Sequence, residues 1–331
     1  MEGRICLMDG ILNLIKPVGM TSFDVVALVR KWTGTRKVGH TGTLDPDAAG
    51  VLTVCVGQAT RAVEALTDKD KTYRAELCLG VSTDSQDAGG TVVSALAPER
   101  DEARILSAIR DMEGPQWQVP PMHSAIKIGG KKLYELAREG KEVPRDARRV
   151  TIYRCEPIQI RHEALVTRVL MDVACSKGTY IRTLCHDIGA RLGCGGHMSF
   201  LLRTKNGPYP LGGAHTLEAL AAAAAAGKAD TLMLPVDSAF AAWPRWVCGQ
   251  PEMDRLRNGQ TLQGPSADAA ARALAEADGA LPEHFRVYGP DRFLGLGMFV
   301  TGTGTSSTPG DPATPGEQVG PGVRLYRRME V

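Results

Sequence analysis

One carboxylate in a glycine-rich turn is the group in this chain best placed by its neighbours to do chemistry. In Gly39-His40-Thr41-Gly42-Thr43-Leu44-Asp45-Pro46-Asp47-Ala48-Ala49-Gly50, three glycines permit backbone angles closed to other residues. Pro46 holds Asp45 away from the helical region, which fixes the direction of its side chain. A carboxylate fixed in this way can serve as nucleophile, base or partner of a cation. On composition alone the stretch is also an ordinary Asp-Pro surface turn. Nucleotide hydrolysis through a phosphate-cradling loop is excluded, because no Gly-Lys-Ser/Thr accompanies the glycines. The eight cysteines form no C-x-x-C pair, and the tightest ligand cluster, Cys185, His186, Cys194 and His197, has no zinc spacing. Neither a metal nor a cofactor is expected.

Periodicity shows which elements must carry this turn. Residues 10–15 read as a short apolar strand, and Lys16-Pro17-Val18-Gly19-Met20-Thr21-Ser22 as a turn capping a helix that reaches about Trp32. Residues 51–56 and 72–79 read as strands, the second alternating Tyr73, Ala75, Leu77 and Leu79 with Arg74, Glu76 and Cys78. Further strands are expected at 151–160 and 166–174, and helices at 101–112, 132–139, 180–192 and 216–226. Strands separated now by helices, now by hairpin-sized loops predict an α+β fold with helices packed on a sheet. A length of 331 residues allows one large domain and a small one. The formal net charge is only +2, so any nucleic-acid surface must be local. Cysteines set in apolar runs indicate reduced thiols in a cytoplasmic protein. No signal-peptide core is present, and no apolar run approaches the roughly 18 residues of a membrane span, so neither export nor membrane insertion is expected.

The full spacing GHTGTLDPDAAG, followed by Val51-Leu52-Thr53-Val54-Cys55-Val56-Gly57-Gln58-Ala59-Thr60-Arg61, resembles the signature of the TruB-type pseudouridine synthases. The upstream KPxGxTS pattern, here residues 16–22, matches the same family. The resemblance implies isomerisation of uridine 55 in the T loop of tRNA. It also implies a mixed, mainly antiparallel pseudouridine-synthase sheet with packed helices over residues 1–245, carrying an RNA-gripping insertion at about 120–150. Met253 to Gln260 and Phe293 to Met298 look like the small PUA-type β-barrel that follows in this family, here residues 246–331. Two stretches depart from that pattern. Residues 265–284 read as an inserted helix, and residues 301–322 as a flexible Gly/Pro/Ser/Thr-rich loop.

By the same resemblance Asp45 is the nucleophilic aspartate, and Arg182, in Ser176-Lys177-Gly178-Thr179-Tyr180-Ile181-Arg182-Thr183-Leu184, is the arginine that pairs with it. A guanidinium that close favours the carboxylate against its desolvation. Tyr73 matches the tyrosine that stacks on the flipped base, with a hydroxyl able to relay a proton. Tyr180 and Leu201 match positions that contact the uridine, and His40 matches a histidine that fills the space the base leaves. Without the match, Tyr73 would read as core and Arg182 as a solvated charge. Residues 127–149 hold eight Lys or Arg against four Asp or Glu, with Tyr134 among them. They resemble the insertion that grips the T arm, and Lys127, Lys131, Lys132, Arg148 and Arg149 are its candidate phosphate contacts. The expected partner is tRNA alone, bound by a monomer. A guide-RNA-dependent synthase shares the GHxGxLDP loop but lacks the insertion, and a non-catalytic RNA-binding module leaves the matches at Asp45, Tyr73, Arg182 and Leu201 unexplained.

Overall fold

Tyr73, Ala75, Leu77 and Leu79 turn inward along the strand Lys71–Leu79, while Thr72, Arg74 and Glu76 stay partly exposed. The computed structural model describes residues 8–124, 126–141, 143–278, 280–300 and 322–329; the side chains of Lys127, Lys132 and Tyr134 lie outside that description. Lys71–Leu79 sits at the middle of a nine-stranded sheet. The order is Gly10–Lys16, Ala49–Val56, Gly196–Asn206, Lys71–Leu79, Thr167–Cys175, Arg148–His162, Gly114–Gln118. Val38–His40 pairs with Ala49–Val56, and Tyr209–Pro210 with Gly196–Asn206. The pairing of Gly196–Asn206 with Ala49–Val56 is parallel and the others are antiparallel, which gives the mixed, mainly antiparallel α+β sheet expected.

Helices Glu102–Arg110 and Ile181–Arg191 cover one half of the sheet, packing Ile105, Ile109, Leu184 and Ile188 against Leu77, Val169 and Met171. Ser22–Thr33 and Leu217–Ala225 cover the other half, over Leu12, Leu14, Leu52 and Val54. The start of Ser22–Thr33 is set by a reciprocal cap: the Thr21 hydroxyl accepts from the Asp24 N–H, and the Asp24 carboxylate accepts from the Thr21 N–H. The insertion consists of a two-residue hairpin, Lys127–Ile128 with Lys131–Lys132, and the short helix Leu133–Arg138.

Beyond residue 244 four strands, Arg245–Val247, His284–Tyr288, Phe293–Val300 and Gly322–Arg328, form a second sheet in that order. Its two ends do not pair with each other, so the described residues make an open sheet rather than a closed barrel. The inserted helix is present at Pro265–Asp278, while the segment read as a loop at 301–322 falls, but for Gly322, outside the described residues.

This second sheet shares a core with the first. Phe293, Leu296 and Met329 are buried in one cluster with Ile11, Cys55, Ala59 and Leu66, and Arg61 and Arg328 are joined by a hydrogen bond of 2.9 Å from Nη1 to a carbonyl. Truncation after Trp246 is therefore expected to cost several kcal/mol, at roughly 1.5–3 kcal/mol for each large apolar contact uncovered. A thermal melt tests this: a truncated chain melting within a few degrees of the full protein would show the two sheets to be independent.

Candidate active site

The turn that carries Asp45 is gripped by buried cations from two sides. Lys16, 0% exposed, donates from Nζ to the carbonyls of Pro17 (2.8 Å), Met20 (2.7 Å) and Pro46 (3.1 Å), which ties turn 16–22 to the loop. Burial pushes the Lys16 ammonium down to about 8, against the pull of Asp45 and Asp47. Arg203, also buried, donates through Nε to Val51 O (2.7 Å), through Nη2 to Gly42 O (3.0 Å) and through Nη1 to Thr43 O (3.4 Å). Leu44 is buried, and its N–H donates to the Ser22 hydroxyl at 2.9 Å. Gly50 has a φ of +110°, and a Cβ there would stand 2.3 Å from the Arg203 carbonyl oxygen, so this position admits only glycine. Gly42 is likewise left-handed at φ +135°, whereas Gly39 lies in the strand Val38–His40 and needs no such freedom.

Held this way, Asp45 meets Arg182 through both oxygens: Nε to Oδ2 at 3.1 Å and Nη2 to Oδ1 at 3.3 Å. Two contacts fix the plane of the carboxylate as well as its distance. Arg182 is the second residue of Ile181–Arg191, is 4% exposed, and spends its other donors on Asp87 Oδ2 (3.3 Å), Ser85 O (3.3 Å) and His123 O (2.7 Å). Burial in the cleft raises the Asp45 carboxyl above the usual carboxylate range. Arg182 opposes that shift, and Asp87 and Asp47 add to it, so the guanidinium offsets the desolvation only in part.

Asp45 opens onto a cleft of about 810 Å³ whose walls include Tyr73, Tyr180, Arg182, Leu201, Arg148 and Arg149. Residues more than a hundred positions apart thus converge on one site of ligand-binding size. Tyr73 and Leu201 stand on adjacent strands, at the helix-covered face of the sheet. Burial pushes the Tyr73 phenol up, against Arg203, so it holds its proton at neutral pH. Tyr180 caps Ile181–Arg191, and its backbone is clamped by the Gln118 side chain, N–H to Oε1 at 3.0 Å and carbonyl to Nε2 at 3.4 Å. His40 is not part of the cleft lining. Its Nδ1 accepts from the Gly42 N–H at 3.3 Å, and burial, with Arg203, pushes its pKa down, an environment for a neutral positioning group rather than a proton shuttle.

Residues 30–181 match the profile of the TruB family pseudouridylate synthase N-terminal domain, and residues 182–241 that of the tRNA pseudouridylate synthase B C-terminal domain. The chain belongs to the TruB family. It is 53% identical over 230 residues to a protein of Alkaliphilus oremlandii named tRNA pseudouridine synthase B, covering 70% of this chain and 75% of that one. A protein of the same name from Bacillus subtilis is 43% identical over 265 residues, 78% of this chain and 85% of that one. Among solved structures, a Cbf5-Nop10-Gar1 complex matches with a TM-score of 0.65 at 28% identity, covering 88% of this chain and 78% of the other.

In this TruB-family chain the basic candidates separate. Arg148 and Arg149 line the cleft. Lys131 pairs with Glu139 at 3.0 Å, which Lys141 also contacts at 2.8 Å, so its charge is already engaged. The side chains of Lys127 and Lys132 lie outside the described residues.

Sequence reasoning missed Lys71, Asp87 and Arg203. Lys71 and Arg203 also line the cleft, and burial lowers the Lys71 ammonium to about 8. Arg203 directly follows Phe200-Leu201-Leu202, where a cation after three apolar residues was the available signal. Asp87 lies in Thr83-Asp84-Ser85-Gln86-Asp87-Ala88-Gly89-Gly90, a turn whose carboxylates have no local reason to be aimed at Arg182. The aim is tertiary. Gln86 is left-handed at φ +64°, pinned by Met198 N–H to its carbonyl (3.0 Å) and by the Thr183 hydroxyl to Oε1 (2.9 Å), and the Ser85 hydroxyl orients Asp87 Oδ1 at 2.6 Å. Asp87→Asn should slow the single-turnover rate about 10- to 100-fold with little change in RNA affinity, because it loosens Arg182 while touching no substrate. A rate within twofold of wild type would show that Arg182 needs no second carboxylate.

Proposed function

We propose that this enzyme isomerises uridine 55 in the T loop of tRNA to pseudouridine, with Asp45 as the group that acts on the nucleotide. The reaction breaks the bond from ribose C1′ to N1, turns the uracil and joins C1′ to C5. The C5 proton is lost and N1 gains one, so no electrons change hands. Such chemistry needs an ionised carboxylate beside sugar and ring, a surface for the detached base, and room for a nucleotide swung out of its stack. The observation that carries the reading is the two-point Asp45–Arg182 pair opening on a cleft walled by Tyr73, Tyr180 and Leu201. Tyr73 and Leu201 hold the base, Tyr180 shapes the opposite wall, and the Tyr73 hydroxyl is the group available to move the C5 proton. The same placement serves attack at C1′, attack at C6, or assistance to elimination through C2′.

The names of relatives at 43–53% identity support tRNA as substrate, and Arg148 and Arg149 at the rim supply phosphate contacts that the net charge does not advertise. The insertion at about 120–150 favours a stand-alone enzyme, acting as a monomer in the cytoplasm, over a guide-dependent one. Among the described residues no helix is long and apolar enough to cross a membrane. The C-terminal region, residues 246–331, is read as a PUA-like RNA contact that includes the exposed arginines Arg255 and Arg324. Mapping pseudouridine in tRNA from cells lacking this protein tests the reading: position 55 should be unmodified uridine, and an unchanged level of modification there would refute it. A requirement for an added guide RNA in the purified reaction would instead favour the guide-dependent alternative. Replacing Arg148 and Arg149 together by Glu should weaken tRNA binding and reduce its log–log salt slope by roughly 1–2. An unchanged slope would place the phosphates elsewhere.

A further inference from the structure

The outermost strand of the large sheet, Gly114–Gln118, carries Trp117 with 69% of its surface exposed. Tryptophan is among the residues most buried on average, so an open indole at a sheet edge calls for an occupant. Trp117 is directly opposite Arg149 in the antiparallel ladder, and Pro115 opposite Thr151. Opposed residues share a face, so Trp117 stands beside Arg149, and Arg149 and Thr151 both line the cleft. The alternation along Arg148–His162 agrees: Val150 and Ile152 are buried, while Arg149 and Tyr153 face out, Tyr153 being 53% exposed with its hydroxyl donating to Asp70 at 3.1 Å. Val119, 46% exposed, continues the apolar surface past the strand. Among the described residues, no aromatic ring or guanidinium stacks on the Trp117 indole. The inner neighbour Gln118 clamps Tyr180, so the same short strand holds one aromatic inside the cleft and presents another outside it.

We infer that Trp117 and Arg149 form a second nucleotide subsite at the cleft rim, which stacks an unpaired base of the bound RNA other than the target uridine and holds its phosphate. A flat indole beside a guanidinium is the pairing that binds single-stranded nucleotides with little sequence preference. Continuity with the cleft through Arg149 and Thr151 puts the platform on the path of a strand whose target base is swung inward. The inference rests on the RNA substrate of the proposed function.

The test titrates the full-length protein with an unmodified tRNA transcript and with a T-arm hairpin, following tryptophan fluorescence and binding in parallel. Stacking should quench the wild-type emission, and Trp117→Phe should lose that quench while keeping most of the affinity, because Trp32, Trp243 and Trp246 are more enclosed. Trp117→Leu should weaken binding about 5- to 150-fold, the range for one lost base stack. Its salt slope should stay that of wild type, whereas Arg149→Gln should lower the slope. Binding by wild type without a quench, a quench that survives in Trp117→Phe, or Trp117→Leu binding as tightly as wild type would each overturn the subsite alone. Absence of any tRNA binding by the wild-type protein would overturn the proposed function as well.

Discussion

Asp45→Asn is expected to leave a folded protein that binds tRNA within about tenfold of wild type and isomerises it at least about 10⁴-fold more slowly in a single turnover. The substitution removes charge and nucleophilicity with almost no change in volume, and Arg182 keeps Asp87 and the carbonyls of Ser85 and His123 as partners. Acidity carries a second part of the same expectation. Burial raises the Asp45 carboxyl, so the active carboxylate is populated above that raised pKa and lost as pH falls through it. The acid limb of the single-turnover rate should therefore lie above the ordinary aspartate value of about 3.9. For stability the sign is opposite to that of a salt-bridged surface aspartate. A carboxyl that binds its proton more tightly when folded loses stabilising effect as pH rises from about 3.9 through the folded pKa, so at neutral pH the Asn variant should melt no lower than wild type. A rate near that of wild type would remove Asp45 from the mechanism.

Arg182→Lys should lower the single-turnover rate by about 10²- to 10³-fold although it preserves charge. The guanidinium satisfies both oxygens of Asp45, one of Asp87 and two backbone carbonyls from a planar fork. A single ammonium has one centre, and from the same backbone position it cannot hold two carboxylates and also fix the plane of one of them. Arg182→Ala goes further, leaving the partly exposed Asp45 and Asp87 without their shared cation and the carbonyls of Ser85 and His123 without their donor, and should cost about 1–3 kcal/mol of stability. Quench-flow rates on the Lys variant and denaturant unfolding of the Ala variant separate the two effects. A Lys variant within threefold of wild type would reduce Arg182 to a source of charge.

What the sequence shows here follows from how local the physics is. The Asp45 turn, the capped start of the helix Ser22–Thr33 and the alternation around Tyr73 are decided by neighbours within a few residues, and all were legible. The interior strand Gly196–Asn206 was not. Its sequence carries His197, Arg203 and Asn206, polar residues that are buried because they bond to Val81 O, to the loop carbonyls and to Thr41 and Thr53. These partners lie more than a hundred residues away, so no periodicity announces the strand. Gly114–Gln118 was hidden for a different reason, since Gly114 and Pro115 read as a turn and are tolerated only because this strand lies at the sheet edge. Of the candidate site, Asp45, Tyr73, Tyr180, Arg182 and Leu201 were named from motif matches, and the fold draws them to one cleft. Asp87 and Lys71 needed the fold itself to be placed. The open second sheet shows the converse limit: short segments suggested a barrel, but closure depends on which strand edges meet.

The most direct measurement labels C5 of uridine with tritium in an unmodified tRNA transcript and follows its release into water on incubation with the purified protein alone. Joining C1′ to C5 must expel that hydrogen, so the release counts isomerisation without assuming a route. One equivalent of tritium per tRNA is expected from wild type, with no added metal, cofactor or guide, and its source should map to the T-loop uridine. Asp45→Asn should release none on the same timescale. Wild-type protein that binds the transcript yet releases no tritium, or an Asp45→Asn variant that releases it at near the wild-type rate, would contradict the account.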